Sequence, residues 1–225
     1  MDWQALGLSL RLSCLTSLLL LSLGLPVAYW LTFSKFKFKF ILEAFVSLPL
    51  VLPPTVLGFY ILVAIGPHSP VGRLYEDWTG NRLPFSFEGV LLGSVLYSLP
   101  FAVQPFQDAF AAIDSKLIEA SWVLGGSKLR TFVHVMIPLS LSGIMTGMLL
   151  TFAHTLGEFG IVLMIGGNIP GSTRTISIAL FDEVQAMDYI AAGRTSLFLL
   201  VLSFSILIFI RWLRRTKKAF PTLLP

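Results

Sequence analysis

Long apolar stretches dominate this sequence and decide what it can fold into. They cover residues 12–33, 41–65, 87–106, 136–157 and 196–213. A helix needs roughly 20 apolar residues to cross the hydrocarbon core of a bilayer. Only 12% of the residues are charged, which is typical of membrane proteins. The sequence therefore predicts an all-α integral membrane protein with about five transmembrane helices. Residues 1–225 form one transmembrane domain, because too little chain remains for a soluble one.

The net charge of +4 reflects where the basic residues lie. Cytoplasmic segments of membrane proteins carry an excess of Lys and Arg. The opposite side of the predicted spans keeps only five arginines, so the sequence predicts the N-terminus outside, the C-terminus inside and no nucleic-acid partner. The basic residues after the first, third and fifth stretches are Lys35, Lys37, Lys39, Lys116, Lys128, Arg130, Arg211, Arg214, Arg215, Lys217 and Lys218.

The first apolar stretch could be mistaken for a signal peptide. Its apolar run is longer than the roughly 7–15 residues of a signal-peptide core, and no small-x-small cleavage site follows. We therefore expect it to be retained as a span. It contains Cys14, the one cysteine of the chain, so we expect packing rather than a disulfide framework.

The second stretch contains prolines at membrane depth. Pro49, Pro53 and Pro54 lack backbone donors and interrupt regular helix pairing. Irregular backbone inside a membrane is tolerated only against protein or a water-filled cavity. Pro49, Pro53, Pro54 and the adjacent Thr55 are therefore candidates for the lining of a pathway, while a kinked helix used only for packing is the alternative.

The connection after the second stretch is rich in turn residues. Pro67, Pro70, Gly72 and Gly80 indicate an outer loop. Its aromatic residues are expected at the membrane interface, where such rings are enriched.

A polar, helix-forming segment interrupts the apolar stretches between residues 108 and 135. Asp114 can cap an entering helix. The Gly125-Gly126 pair can end that helix, and Ser127 can cap a second one. Two short helices joined by a sharp turn are predicted on the cytoplasmic side. One small-to-medium apolar face recurs at helical spacing along the first of them: Leu117, Ala120, Ser121 and Leu124.

Two polar motifs follow the fourth stretch. HTLGEFG places His154 and Glu158 at or just inside the outer boundary, where Glu158 either holds a gate closed beside Phe159 or points to water. His154 is interpreted as a packing residue and not as a metal ligand. In NIPGSTRT, Arg174 and Thr175 precede a helical pattern and either receive an oxyanion at its N-terminus or help to seat an external protein.

The segment from Glu119 to Pro138 resembles the EAA loop of ABC importer permeases. Glu119, Ala120, Gly125 and Pro138 fit the spacing of that motif, and three further positions are replaced conservatively, by Ser121, Val135 and Ile137. The resemblance implies docking of a cytoplasmic ATPase. An ordinary connection between two spans is the alternative. The implied docking residues are Glu119, Ala120, Ser121, Leu124, Gly125, Lys128 and Arg130.

Over nearly the whole chain, LPLVLPPTVLG, LGEFG and GNIPGSTRT are similar to the molybdate importer permeases, with the tungstate and sulfate permeases as close neighbours. The resemblance implies a MetI-like permease fold in the inner (plasma) membrane. It also implies a homodimer with the oxyanion pathway between its copies, two ATPase subunits and an extracytoplasmic molybdate-binding protein.

ATP hydrolysis is expected on a separate subunit. The chain lacks the phosphate-binding motif Gly-x-x-x-x-Gly-Lys-Ser/Thr, and GGSK at 125–128 does not have its spacing. We expect no cofactor and no enzymatic activity of the chain alone. A proton-coupled carrier that uses Glu158 and His154 as a relay is the alternative from another class, and a membrane scaffold without transport is a third.

Overall fold

The computed structural model describes the backbone of residues 1–218 and side chains up to residue 212. The basic side chains of Arg214, Arg215, Lys217 and Lys218, on which part of the charge asymmetry rests, lie outside the described residues. The helices are α1 (Trp3–Phe33), α2 (Lys39–Ser47), α3 (Pro54–Ile65), α4 (Pro70–Thr79), α5 (Phe87–Ala111), α6 (Ser115–Val123), α7 (Lys128–Thr131), α8 (Ile137–Gly157), α9 (Gly160–Gly166), α10 (Ile176–Gln185) and α11 (Tyr189–Lys218).

Four helical segments of the described chain are long and apolar enough to cross a membrane: Trp3–Phe33, Phe87–Ala111, Lys128–Gly157 and Tyr189–Trp212. A fifth span is possible from the pair Lys39–Leu50 and Pro54–Ile65, which is bent by 113°. The prediction of about five spans in an all-α protein is confirmed. The first, fourth and fifth spans begin earlier than predicted, because their helices continue past the apolar stretch into polar residues.

Helix α5 lies at the centre of the bundle and packs against α1, α3, α8 and α9. Its Phe106 and Phe110 are fully buried in the largest apolar cluster, with Leu20 and Leu31 of α1 and Ile144 of α8. A cluster of this kind fixes the relative positions of three spans by close packing.

Small residues of α8 bring it close to α5. A Cβ on Gly143 would overlap the Cβ of Ala109, and a Cβ on Gly147 would lie 2.6 Å from Phe106 Cε1 and 3.0 Å from the carbonyl oxygen of Ala102. Close approach at small residues is the usual way in which membrane helices gain packing contacts. The two helices therefore form a rigid pair.

The outer loop predicted for residues 67–80 is wrong, because α4 occupies most of this segment. Ser69 Oγ accepts a hydrogen bond from Gly72 N and caps the helix, and Pro70 occupies its first position. Gly80 ends the helix with φ +71°. Proline and glycine here mark the two ends of a helix rather than a loop.

We expect substitution of Gly143 by alanine to destabilise the α5–α8 pair. The added methyl would have to displace Ala109, and overpacking of this kind costs roughly 1–3 kcal/mol. Gly7→Ala in α1 is the matched control, because a Cβ at Gly7 meets nothing within 4 Å. Thermal unfolding in detergent should show a lower midpoint for Gly143→Ala alone, and equal midpoints for both variants would contradict close α5–α8 packing.

Candidate coupling surface and pathway

The segment 114–131 forms an elbow of two capped helices, α6 and α7. Asp114 Oδ1 accepts from Lys116 N at 2.9 Å at the start of α6. Gly126 N donates to Ser121 O and Gly125 N to Trp122 O, and Gly125 has φ +82°. This double hydrogen bond is the Schellman motif, which needs a residue in the left-handed region. The predicted caps and turn are confirmed.

A short contact holds the elbow closed. Ser121 Oγ and Thr131 Oγ1 are 2.8 Å apart, which ties α6 to α7. A Cβ on Gly126 would lie 2.7 Å from Ser121 O, so only glycine allows this approach. Ile118 points the other way and is buried against the core cluster of the bundle. The elbow is therefore attached to the spans.

The apolar face of the elbow is uncovered. Leu124 is 87% exposed and Leu117 is 48% exposed. Glu119, Ala120, Gly125, Lys128 and Arg130 are also exposed, whereas Ser121 is half-buried. The face borders a groove of about 540 Å³. The residues that line the groove are Leu117, Ala120, Ser121, Leu124, Gly126, Arg130, His134, Val135, Pro138 and Leu139.

The second helix of the elbow is continuous with a span. Ser127 caps α7 by accepting from Arg130 N. A π-helical turn, Phe132–Met136, then joins α7 to α8, so residues Lys128–Gly157 form one helical segment of 30 residues. Turns of this kind inside α-helices occur frequently at functional sites. A displacement of the elbow would consequently be passed to α8.

The second span is broken at its prolines. Helix α2 ends in a 3₁₀ turn, Leu48–Leu50, in which Pro49 is buried. Pro53 precedes α3, and Pro54 is the first residue of that helix. Thr55 is exposed. The predicted interruption at membrane depth is thus present.

The fourth span is broken as well, at Glu158 and Phe159. Ser98 of α5 contacts Thr155 of α8, and Ser98 is 11 residues from Phe87, so α8 ends roughly 15 Å short of the Phe87 end of α5 at 1.5 Å per residue. Helix α9 continues beside the remaining turns of α5, where Gly93 and Gly166 allow close packing. The expectation that Glu158 lies at the outer boundary is wrong, because α9 completes the span beyond it.

Glu158 is buried and hydrogen bonded. It is 8% exposed, and its Oε1 accepts from Ile161 N at 3.0 Å at the start of α9. The alternative that this carboxylate points to water is therefore wrong. Phe159 stands beside it with its ring 5.0 Å from that of Phe181 in α10.

The two breaks lie next to each other. A Cβ on Gly160 would lie 2.7 Å from Pro54 Cβ, and one on Gly58 would lie 2.9 Å from Met164 Cβ. Helices α3 and α9 therefore start side by side at the same depth. The sequence gave no sign of this pairing, because it depends on contacts about a hundred residues apart.

Arg174 joins two distant parts of the chain. Its Nη2 lies 3.1 Å from Asp182 Oδ2, and its Nε lies 3.6 Å from Asp2 Oδ2. Thr175 is buried, and the next amide, Ile176 N, donates to Ser9 Oγ at 2.8 Å. Two carboxylates thus balance the guanidinium charge, and Ser9 occupies the first amide of α10.

No metal centre is apparent in the part of the chain that the structure describes, where no group of three or more His, Cys, Asp or Glu side chains could hold an ion. Cys14 is exposed on α1 rather than packed in the core. The expected packing role within this chain is wrong, because its side chain points away from the bundle.

Known proteins with similar sequences are transport permeases. The sequence profile of the family described as binding-protein-dependent transport system inner membrane component matches residues 21–218. The chain is 47% identical to a molybdenum transport system permease protein of Azotobacter vinelandii over 96% of both chains. It is 36% identical to the corresponding protein of Escherichia coli K12, over 96% of this chain and 95% of that one. A probable sulfate transport system permease of Marchantia polymorpha is 32% identical over 96% of this chain and 75% of that one.

Solved structures with the same fold are also transporters. A bacterial ABC transporter involved in import of the polysaccharide alginate matches 94% of this chain and 78% of its own, with a TM-score of 0.74 and 18% identity. An inward-facing methionine ABC transporter matches 94% of both chains, with a TM-score of 0.69 and 17% identity. The chain belongs to the family of binding-protein-dependent transport system inner membrane components, and it is a multi-pass protein of the inner membrane with the MetI-like fold.

Proposed function

We propose that this chain is the permease subunit of an ATP-driven importer of molybdate and that two copies enclose the pathway. The substrate class rests on the relatives: those with molybdenum in their names are up to 47% identical to this chain, whereas the listed sulfate permease relatives reach 32%. Tungstate and sulfate, which are also tetrahedral dianions, are the alternatives within the same class of transporter.

The observation that carries the coupling function is an uncovered apolar face on a rigid elbow. Soluble and membrane proteins rarely leave residues such as Leu124 uncovered unless a partner binds there. Here the partner is a cytoplasmic ABC ATPase, one for each copy of the chain. Lys128 and Arg130 flank the face and give it a positive rim that favours an acidic partner surface.

The orientation completes the proposal. The basic residues place the elbow in the cytoplasm, where ATP is available. The opposite face then meets a soluble binding protein that delivers the oxyanion. A solved relative in fold, an alginate transporter, was crystallised in complex with a periplasmic protein that holds its substrate, which supports a partner of this kind.

The two adjacent breaks mark the pathway. Pro49, Pro53, Pro54 and Thr55 lie on one side, and Glu158 and Phe159 lie on the other. When the ATPases close, α8 follows the elbow, and the contact between Pro54 and Gly160 changes as α9 moves against α3. Arg174 and Thr175 contribute by fastening α10 to the start of α1 rather than by binding the anion directly.

The first prediction concerns the elbow. Leu124→Asp places a charge in the proposed interface, and we expect the amount of ATPase that co-purifies to fall at least tenfold, since charging an anchor costs ~2 kcal/mol or more. Leu74→Asp, on the exposed side of α4, is the control and should retain the ATPase. Full ATPase recovery with Leu124→Asp would contradict docking at this face.

The second prediction concerns orientation. In a Cys14→Ser background, Asp77→Cys should react with an impermeant maleimide on intact spheroplasts, whereas Lys128→Cys should react only after lysis. Both positions are exposed, so a difference in labelling reports the side of the membrane. The reverse pattern would place the elbow outside and exclude the coupling proposal.

The third prediction concerns energy and substrate. The permease in vesicles, with its ATPase and binding protein, should accumulate labelled molybdate only when ATP is supplied. The ATPase alone must hydrolyse the nucleotide, because this chain has no phosphate-binding loop. Uptake by the permease alone in a proton gradient would instead support a secondary carrier.

A further inference from the structure

A hydrogen-bonded polar cluster lies between α5 and α8. Ser98 Oγ is 3.0 Å from His154 Nδ1 and 3.0 Å from Thr155 Oγ1. Ser98 and Thr155 are buried at 1% and 2% exposure. Polar groups buried among membrane helices are costly unless paired, and these three pair with one another.

The cluster lies near the middle of the membrane. Ser98 is the twelfth residue of α5, a helix of 25 residues, and this is roughly 17 Å along the helix axis from its first residue at 1.5 Å per residue. The hydrocarbon core is about 30 Å thick. Any anion that crosses the bilayer beside α5 passes this level.

The imidazole ring of His154 is held in one orientation. It stacks on Phe101 with ring centroids 3.9 Å apart and an interplanar angle of 23°, and the Tyr97 ring centroid is 4.9 Å away. Two aromatic rings and the Ser98 hydroxyl therefore fix both the plane and the rotation of the ring. A side chain that only fills space does not require a hydrogen-bonding partner on its ring nitrogen.

The ring is nevertheless not enclosed within a single chain. His154, Tyr97 and Phe101 are each half-buried. Tyr97 also packs against Ile61 and Ile165 of the two broken spans, so the cluster adjoins the place where regular backbone stops. A polar ring facing lipid at this depth is unfavourable. The same side of the bundle therefore combines broken backbone with an accessible polar ring, as expected of a wall that faces a water-filled space.

The chemistry of the cluster suits a dianion that must not be held tightly. If Thr155 donates to Ser98 and Ser98 donates to Nδ1, the neutral imidazole presents Nε2–H as a donor. A pathway wall needs donors that replace part of the hydration shell yet let the ion leave. A neutral N–H meets this requirement better than a cationic side chain.

We propose that His154 contacts the oxyanion midway through the membrane with its Nε2–H, and that Ser98 is the positioning residue that fixes its ring. This inference rests on the proposed import function and adds a specific contact to it. It assigns His154 a role in passage of the substrate, beyond the packing role that its sequence context suggested.

The test compares three variants in vesicles that contain the complete transporter with its ATPase and binding protein. His154→Phe preserves the ring and its stacking on Phe101 but removes the donor. His154→Gln restores an amide N–H near the position of Nε2. His68→Phe is the matched control, because His68 is an exposed histidine in the connection before α4.

We expect His154→Phe to lower the maximal rate of ATP-dependent molybdate uptake about tenfold, as for loss of one hydrogen bond to a charged group. Complex assembly and ATP hydrolysis stimulated by the binding protein should remain. His154→Gln should recover uptake to within about threefold of the unmodified protein, and His68→Phe should have no effect.

Equal uptake by His154→Phe and the unmodified protein would overturn the proposal, and so would a Gln variant as defective as the Phe variant. If His154→Phe does not assemble, Ser98→Ala replaces it, with a severalfold loss of uptake expected and unchanged uptake overturning the proposal. Absence of ATP-dependent uptake by the unmodified transporter would instead contradict the import function itself.

Discussion

The structure depends on the requirement that every backbone N–H and C=O within a bilayer finds a partner. Uninterrupted helices such as α1 and α5 meet it internally. The breaks before Pro54 and after Gly157 do not, and each is compensated locally: a 3₁₀ turn precedes the first, and the carboxylate of Glu158 accepts an amide of α9 at the second. Because these interruptions are costly and lie side by side, they mark where the bundle departs from simple packing for a functional reason.

The elbow meets the same requirement by different means. Its helices are short, and isolated helices of this length are unstable in water. Asp114 and Ser127 cap their starts, the Gly125–Gly126 turn closes the carbonyls of α6, and Ser121 binds Thr131. These local bonds make a stiff attachment that leaves its apolar face free for a partner. The π turn between α7 and α8 lets the attachment continue into a span without a flexible joint.

Local features were predictable from the sequence, and distant pairings were not. The caps at Asp114 and Ser127, the glycine turn and the proline break are encoded within a few residues, so their chemistry could be identified directly. The α4 helix was missed because Pro70 and Gly80 were interpreted as loop residues instead of helix ends. Glu158 was placed too near the surface because α9 is short and its packing on α5 depends on Gly93, far away in sequence. The ion pairs of Arg174 with Asp2 and Asp182 likewise follow only from the folded chain.

The central claim is that the elbow and α8 move as one body when the ATPase closes. It is tested most directly by spin labels at Leu129 and Leu141, two exposed positions on this continuous segment, in the assembled transporter with and without ATP. We expect the distance between the labels within one chain to stay constant while the distance between the Leu129 labels of the two copies shortens. A change within the chain as large as the change between the copies would show that the elbow moves independently of the span, and would contradict rigid coupling.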